Sequence, residues 1–177
     1  LILSILLLGI ISMFAMYSTD GGKFDYHTKS HILRFGIFFA MFLILSLFQI
    51  RFWYQTSTLL YLSFFILLLG VKYFGLTSSG SQRWLNFYFM NLQPSELMKI
   101  GLIIFLAKYY HRISTQDVNR IKFLFLPVVA LVAPVLLVVA QPDLGTSILI
   151  ALGGVTVSWL AGVRVKFFAY ASILFVS

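Results

Sequence analysis

Long apolar stretches separated by short polar segments dominate the chain. A helix needs about 20 residues to cross a bilayer, and six of the stretches are close to this length. A seventh stretch begins near residue 167. Lys99 interrupts the fourth stretch, which makes it the weakest of the predicted spans. The pattern predicts an all-α, polytopic integral membrane protein, a helical bundle of six to seven transmembrane helices. The predicted spans are residues 1–18, 31–50, 56–74, 94–110, 123–140, 143–163 and 167–177.

Composition supports this prediction and excludes a soluble domain. Of 177 residues, 60% are hydrophobic and 10% are charged, and the mean hydropathy is +0.98. In water such a chain would expose large apolar patches, which soluble monomers avoid. The first apolar run lacks a basic head and a cleavage site, and both chain ends fall inside apolar runs. We therefore expect residues 1–177 to form one transmembrane domain truncated at both ends, with no removable signal peptide.

Basic residues in the connecting segments predict the orientation. Seven lie on one side of the predicted membrane and five on the other, and the positive-inside rule places the richer side in the cytoplasm. The net charge of +8 is then explained by cytoplasmic loops and contact with anionic lipid headgroups, and nucleic acid is not an expected partner because the basic residues are scattered. The predicted inner set is Arg51, Lys108, Arg112, Arg120, Lys122, Arg164 and Lys166, and the outer set is Lys23, Lys29, Arg34, Lys72 and Arg83.

Two apolar stretches open with the same polar motif on the predicted outer side. Gln93-Pro94-Ser95-Glu96 precedes the fourth span, and Gln141-Pro142-Asp143 precedes the sixth. Proline suits the first turn of a helix, and a following carboxylate faces the positive end of the helix dipole. Because ionisable groups at membrane helices are energetically costly, both acids are candidates for a shared polar site.

Each candidate residue also has a structural interpretation. Glu96 and Lys99 are three residues apart and can form a simple ion pair on one helix face. Arg83 beside Trp84 can bind a phosphate or reach lipid headgroups. Asp143 is harder to explain by packing, although the small residues that follow it along its helix face, Gly154 and Ser158, are typical of close helix contacts.

Two further patterns have weaker functional meaning. His27 and His31 near Asp20 and Asp25 could be drawn as a metal site, but polar residues commonly mark the start of a span, so no metal site is assigned. No cofactor is identified, and a requirement for a divalent metal is left open. Pro134, in the fifth span, should free a backbone carbonyl and bend its helix.

Three motifs in this order resemble the SEDS family of bacterial cell-wall proteins, named for shape, elongation, division and sporulation. They are the run 80–85 (Gly-Ser-Gln-Arg-Trp-Leu), the run 92–96 (Leu-Gln-Pro-Ser-Glu) with Lys99, and the run 141–147 (Gln-Pro-Asp-Leu-Gly-Thr-Ser). The residue sequence of the first motif is more similar to the RodA rod-shape branch than to the FtsW division branch. Family members have about ten transmembrane helices, so the resemblance makes this chain the N-terminal part.

The resemblance implies a peptidoglycan glycosyltransferase that polymerises lipid II at the outer face of the bacterial cytoplasmic membrane, together with a class B penicillin-binding protein. It implies supporting catalytic roles for Glu96 and Asp143. A carboxylate at a helix start or beside lysine is stabilised as an anion, which makes it a poor proton acceptor. The family's catalytic aspartate is expected in an outer loop beyond residue 177, so this fragment alone should be inactive. The implied substrate-binding residues are Arg83, Lys99, Gln93 and Gln141.

Two other functions compete with the polymerase. Helices that start with polar motifs around a cavity also suit a flippase or transporter for a lipid-linked sugar. Because the repeated Gln-Pro-acid motif is too short to be an inverted repeat, the sequence gives this alternative little support. The second alternative is a non-catalytic scaffold that positions a partner synthase.

Overall fold

The computed structural model describes residues 1–78, 81–87 and 90–168. This part of the chain contains six α-helices and three short β-strands, and it divides into two compact units, Leu1–Ile50 and Arg51–Ser177. The all-α class predicted from the sequence is confirmed, with a small sheet added between the third and fourth helices. The helices are α1 (Ile2–Thr19), α2 (Tyr26–Ser46), α3 (Ile50–Phe74), α4 (Pro94–His111), α5 (Ile121–Val139) and α6 (Leu144–Leu160), and the strands are β1 (Leu76–Ser78), β2 (Ser81–Phe87) and β3 (Met90–Leu92).

Four helices of the described residues are long and apolar enough to cross a membrane. They are α1, α2, the first 22 residues of α3, and α5. The apolar helix α6 has 17 residues, and α4 contains Glu96 and Lys99 near its start. Membrane crossing by α4 and α6 therefore stays a prediction, as does the seventh span, of which all but residues 167 and 168 lies outside the described residues.

The helix bounds differ from the predicted spans most clearly at the two ends of α2. The predicted second span runs to residue 50, whereas α2 ends at Ser46 and α3 already begins at Ile50. The intervening residues 47–49 are Leu, Phe and Gln, so hydropathy alone cannot locate the break. At the other end α2 begins earlier than predicted because Asp25 caps it, accepting a hydrogen bond from the Tyr26 amide.

In the first unit, hydrogen bonds of polar side chains stabilise the turn between α1 and α2. Asp20 accepts hydrogen bonds from the amide and the hydroxyl of Thr28 at 2.8 and 2.6 Å, and these bonds lower the pKa of Asp20. His31 lies 2.9 Å from the Ser12 hydroxyl. Among the described residues no group of three His, Cys, Asp or Glu side chains could hold a metal. The polar residues of this turn therefore act as caps and interhelical contacts.

In the second unit, α4 packs against α5 and α6 around a buried apolar core. Met98, Leu102 and Leu106 of α4 are fully buried and meet Ile150 of α6 and Val138 of α5 within one cluster. Small residues permit this close approach. A Cβ atom at Gly154 would lie 2.5 Å from Leu131 and 3.3 Å from Leu102. The core places the starts of α4 and α6 at the same end of the unit.

Two prolines lie inside α5, and each leaves one carbonyl without its helical donor. Proline has no N–H group, so Pro134 cannot donate to the Ala130 carbonyl and Pro127 cannot donate to the Phe123 carbonyl. Tyrosine hydroxyls from other helices replace both donors. Tyr61 of α3 donates to Ala130 at 2.9 Å, and Tyr109 of α4 donates to Phe123 at 2.8 Å. The proline sites thereby become contacts that join α5 to α3 and α4.

We expect Tyr61→Phe to lower stability in detergent by about 1 kcal/mol, because the Ala130 carbonyl loses its buried donor. Pro134→Ala restores a backbone N–H at the matching position. The double variant Tyr61→Phe/Pro134→Ala should therefore be more stable than the sum of the two single changes predicts, which a double-mutant cycle of thermal unfolding measures. If the effects of the two single changes were additive in the double variant, the Tyr61 hydroxyl would not be replacing the N–H group that Pro134 lacks.

A small antiparallel sheet with strand order β1-β2-β3 connects α3 to α4. Leu76 pairs with Trp84 and Ser78 with Ser81, while Leu85 pairs with Leu92 and Phe87 with Met90. The predicted spans leave residues 75–93 as a connecting segment, and the strands in it were not predicted. Polar and apolar residues do not alternate strictly from Arg83 to Phe87, because Trp84 and Leu85 are adjacent apolar residues, so the period-2 signal of a strand is weak here.

Candidate functional site

Asp143 is the centre of a buried polar cluster at the start of α6. It is the N-cap residue, and its Oδ1 accepts a hydrogen bond from the Thr146 amide at 3.2 Å. The Gln93 side chain donates from Nε2 to Asp143 Oδ2 at 3.0 Å. Gln93 precedes α4 and does not cap that helix with its own side chain. Its amide group instead joins the start of α4 to the start of α6.

Arg83 of β2 connects the sheet to the residues that precede α6. Its Nε donates to the Gln141 carbonyl at 3.4 Å, and Nη2 donates to the Pro142 carbonyl. Nη1 lies 4.0 Å from Asp143 Oδ1, which makes a long ion pair. The planar guanidinium thus contacts three consecutive residues before α6, an arrangement that the single ammonium of lysine cannot reproduce.

Gln141 also stabilises this arrangement, but from the side of α3. The residue is 9% exposed, and its Nε2 donates to the Leu68 carbonyl at 3.3 Å. Its backbone carbonyl receives Arg83. Gln141 therefore links α3, the α5–α6 turn and the sheet, which is the geometry of a positioning residue.

Glu96 and Lys99 form the pair predicted from their spacing, with Lys99 Nζ 2.9 Å from Glu96 Oε1. The Glu96 side chain is 54% exposed and that of Lys99 is 24% exposed. Within the described residues neither side chain bonds to the Asp143 cluster. Exposed pairs of this kind contribute little to stability, so Lys99 can exchange Glu96 for an anionic ligand at low energetic cost.

The two Gln-Pro-acid motifs are therefore not structurally equivalent. Pro94 occupies the first turn of α4, as the motif predicts, and Glu96 follows on the exposed surface. In the second motif Asp143 itself is the N-cap and Pro142 lies before the helix. The first acid is accessible, whereas the second is held by the Thr146 amide and by Gln93 and lies near Arg83. Asp143 has the surroundings of a fixed anion that orients its neighbours.

The whole chain, residues 1–177, matches the family model described as cell cycle protein, which covers FtsW, RodA and SpoVE. The chain belongs to this family. The FtsW, RodA and SpoVE proteins are the SEDS family of the sequence analysis, so that resemblance is confirmed. The fold of the family also agrees with a multi-pass helical membrane protein.

Curated relatives come from both branches of the FtsW, RodA and SpoVE family. The peptidoglycan glycosyltransferase MrdB of Escherichia coli strain K12 is 40% identical over 115 residues, which are 65% of this chain and 30% of the relative. The probable peptidoglycan glycosyltransferase FtsW of a Buchnera aphidicola strain is 30% identical over 143 residues, 81% of this chain and 38% of the relative. The chain thus spans less than two fifths of these relatives, and its assignment to the RodA branch stays a prediction.

The fold is also found in a solved structure. A chain of a peptidoglycan synthase complex, described for its coordination of polymerization and crosslinking, aligns with a TM-score of 0.77 at 24% identity. The alignment covers 98% of this chain and 51% of the other. At this identity the likeness establishes the arrangement of the helices and does not transfer a function.

Proposed function

We propose that the full-length protein is a peptidoglycan glycosyltransferase that polymerises lipid II at the outer face of the bacterial cytoplasmic membrane. The observation that carries the proposal is the convergence of Arg83, Gln93 and Asp143 at the adjoining starts of α4 and α6. Membership of the FtsW, RodA and SpoVE family supports it, because relatives of this chain are named peptidoglycan glycosyltransferases.

Glycan polymerisation requires a base for the incoming sugar hydroxyl and positive charge for the departing lipid diphosphate. Lys99 is the cation best placed to bind the diphosphate, since its partner Glu96 is exposed and can be replaced by a ligand. Arg83 is largely engaged by backbone carbonyls and acts by holding the sheet against α6. Gln93, Gln141 and Asp143 position these groups. We propose that the base is supplied by a part of the protein beyond residue 177.

We further propose that a class B penicillin-binding protein crosslinks the glycan that this protein makes. The resemblance in sequence first suggested this partner. The likeness to a chain of a synthase complex in which polymerization and crosslinking are coordinated supports it. The four described helices that are long and apolar enough to cross a membrane support a membrane location for the polymerisation step.

The proposal is tested with purified full-length protein and lipid II, by measuring glycan chain formation on gels. We expect polymerisation by the wild type and a loss of about tenfold in rate for Lys99→Ala, because a cation that contributes about 1.4 kcal/mol to the transition state is removed. Lys99→Arg should retain part of the rate. Lys29→Ala, an exposed cation of the other compact unit, is the matched control and should retain all of it.

Two further assays, lipid II scrambling in vesicles and cell growth, separate the competing functions. Scrambling of labelled lipid II across vesicle membranes without polymerisation would replace the proposal with a transporter. Normal cell growth after changes in the polar cluster, with no polymerase activity in the wild type, would replace it with a scaffold. Full activity of Lys99→Ala would remove Lys99 from the site.

A further inference from the structure

An apolar groove lies at the other end of the second unit, away from the Asp143 cluster. It has a volume of about 390 Å³, within the usual range of ligand pockets. It is formed by the end of α4, the first half of α5, the second half of α6 and the helical turn that begins at residue 165. The residues that define it include Tyr110, Ile121, Phe125, Val132, Ser158 and Phe167.

The polar atoms of the groove already have partners. The Tyr110 hydroxyl donates to Ser158 Oγ at 3.1 Å, and Ser158 Oγ donates to the Gly154 carbonyl at 2.8 Å. The rest of the lining is aliphatic or aromatic. Phe125 is 70% exposed and Val132 is 43% exposed, so the groove opens along the side of α5. A hydrocarbon chain matches this lining, because it requires no hydrogen bonds.

Basic residues surround the end of the groove that the charge distribution predicts to be cytoplasmic. Lys122 follows the lining residue Ile121, Arg164 follows Val163, and Lys166 precedes Phe167. Lys166 Nζ lies 5.7 Å from the centre of the Phe167 ring, which places its ammonium at the groove. In the described part of the chain these three cations make no ion pair. The nearby acid Asp117 is already bonded to Arg120 at 2.9 Å.

One side chain fixes the two segments that carry these cations. Asn119 donates to the Gly162 carbonyl at 3.2 Å and accepts a hydrogen bond from the Arg164 amide at 2.8 Å. The turn before α5 and the turn after α6 are thereby joined. In addition, the N-cap residue of α5, Arg120, makes no side-chain hydrogen bond to this helix start, where backbone amides favour an anion. The backbone segments that carry the basic residues are therefore held together, which keeps Lys122 and Arg164 at the same end of the groove.

We propose that this groove binds one anionic phospholipid of the cytoplasmic leaflet, with an acyl chain along α5 and the headgroup phosphate among Lys122, Arg164 and Lys166. Charge complementarity selects this occupant over a neutral lipid, since basic pockets between membrane helices bind anionic headgroups. Apolar lining without free donors selects a lipid over a free phosphate. The site lies at the opposite end of α4 and α6 from the proposed catalytic cluster and is independent of it.

The test uses full-length protein in bilayers of phosphatidylcholine with phosphatidylglycerol, followed by mild extraction and native mass spectrometry to count retained lipids. We expect the wild type to retain one phosphatidylglycerol in preference to phosphatidylcholine. Lys122→Gln/Arg164→Gln/Lys166→Gln should weaken this retention, by about fivefold for each cation removed. The matched control is Lys23→Gln/Lys29→Gln/Arg34→Gln in the other compact unit, which should retain the lipid.

A second variant tests the groove separately from the charges. Val132→Phe fills the groove from an exposed position of α5, whereas Val139→Phe changes a similarly exposed position outside the lining. We expect only the first to lose the lipid, with thermal stability unchanged in both. Retention that is unaffected by the triple Gln variant or by Val132→Phe would overturn the proposal. Equal retention of phosphatidylcholine would also overturn the proposal. So would unfolding of Val132→Phe without release of lipid, because another part of the protein would then fill the groove.

Discussion

Asp143→Ala in the full-length protein is expected to lower stability by about 1.5–5 kcal/mol and to reduce glycan polymerisation by about 100-fold. The stability loss combines a missing N-cap, about 0.5–2 kcal/mol, with an unpaired, partly buried donor on Gln93, about 1–3 kcal/mol. The activity loss follows because α4, α6 and Arg83 lose their common anchor, and small displacements at a catalytic site have effects of this size. Thermal unfolding in detergent and the lipid II assay measure the two effects.

Two controls separate the roles of Asp143. Asp143→Asn retains one oxygen for the Thr146 amide, but its NH2 group replaces the oxygen that accepts from Gln93, and the charge near Arg83 is lost. It should keep the N-cap, be intermediate in stability between the wild type and Asp143→Ala, and still lose activity. Asp25→Ala removes an N-cap on α2 that is bonded to the Tyr26 amide, and should cost stability only at the level of a cap. Equal stability of Asp143→Ala and the wild type would show that the cluster does not hold the helices together.

Arg83→Ala should have the second largest effect, a loss of about 1–3 kcal/mol in stability and about 100-fold in polymerisation. The substitution removes donors to the Gln141 and Pro142 carbonyls and the cation near Asp143, so the sheet is no longer fastened to the start of α6. We expect Arg83→Lys to restore little, because one ammonium cannot reach two carbonyls and a carboxylate with the geometry of a guanidinium.

The measurement for Arg83 is limited proteolysis between α3 and α4 together with the lipid II assay. Faster cleavage in Arg83→Ala would report release of the sheet. Arg112→Ala is the matched control, since that arginine donates to the Tyr54 hydroxyl at 3.0 Å near the end of α4 and should leave polymerisation unchanged. If Arg83→Lys were fully active, the positive charge alone would be sufficient, and the planar arrangement of guanidinium donors would not be required.

Helices were the part of the fold most accessible from the sequence, because a run of apolar residues long enough to cross a bilayer admits few other structures. The break between α2 and α3 was misplaced, since Leu47, Phe48 and Gln49 carry no charge or proline to mark it. The sheet was missed for a different reason. Its pairing depends on contacts between strands, and three residues of β1 or β3 give too little alternation to be recognised.

For the candidate site, residue types could be predicted but their environments could not. The two Gln-Pro-acid motifs look alike, yet Glu96 is exposed while Asp143 is buried among partners from other elements. The difference arises from Gln93 and Arg83, which approach Asp143 only after the helices pack. In the same way, the sequence indicated that Pro134 frees a carbonyl but gave no sign that Tyr61 would supply the missing donor.

The tyrosine contacts of α5 have a consequence for the order of biosynthesis. Tyr61 and Tyr109 precede α5 in the chain, so both hydroxyls leave the ribosome before the carbonyls that they serve. In the folded protein two backbone acceptors of α5 are satisfied by helices that precede it, so α5 gains these hydrogen bonds when it docks beside α3 and α4. The donors that complete the hydrogen bonding of α5 are thus supplied by helices that are synthesised before it.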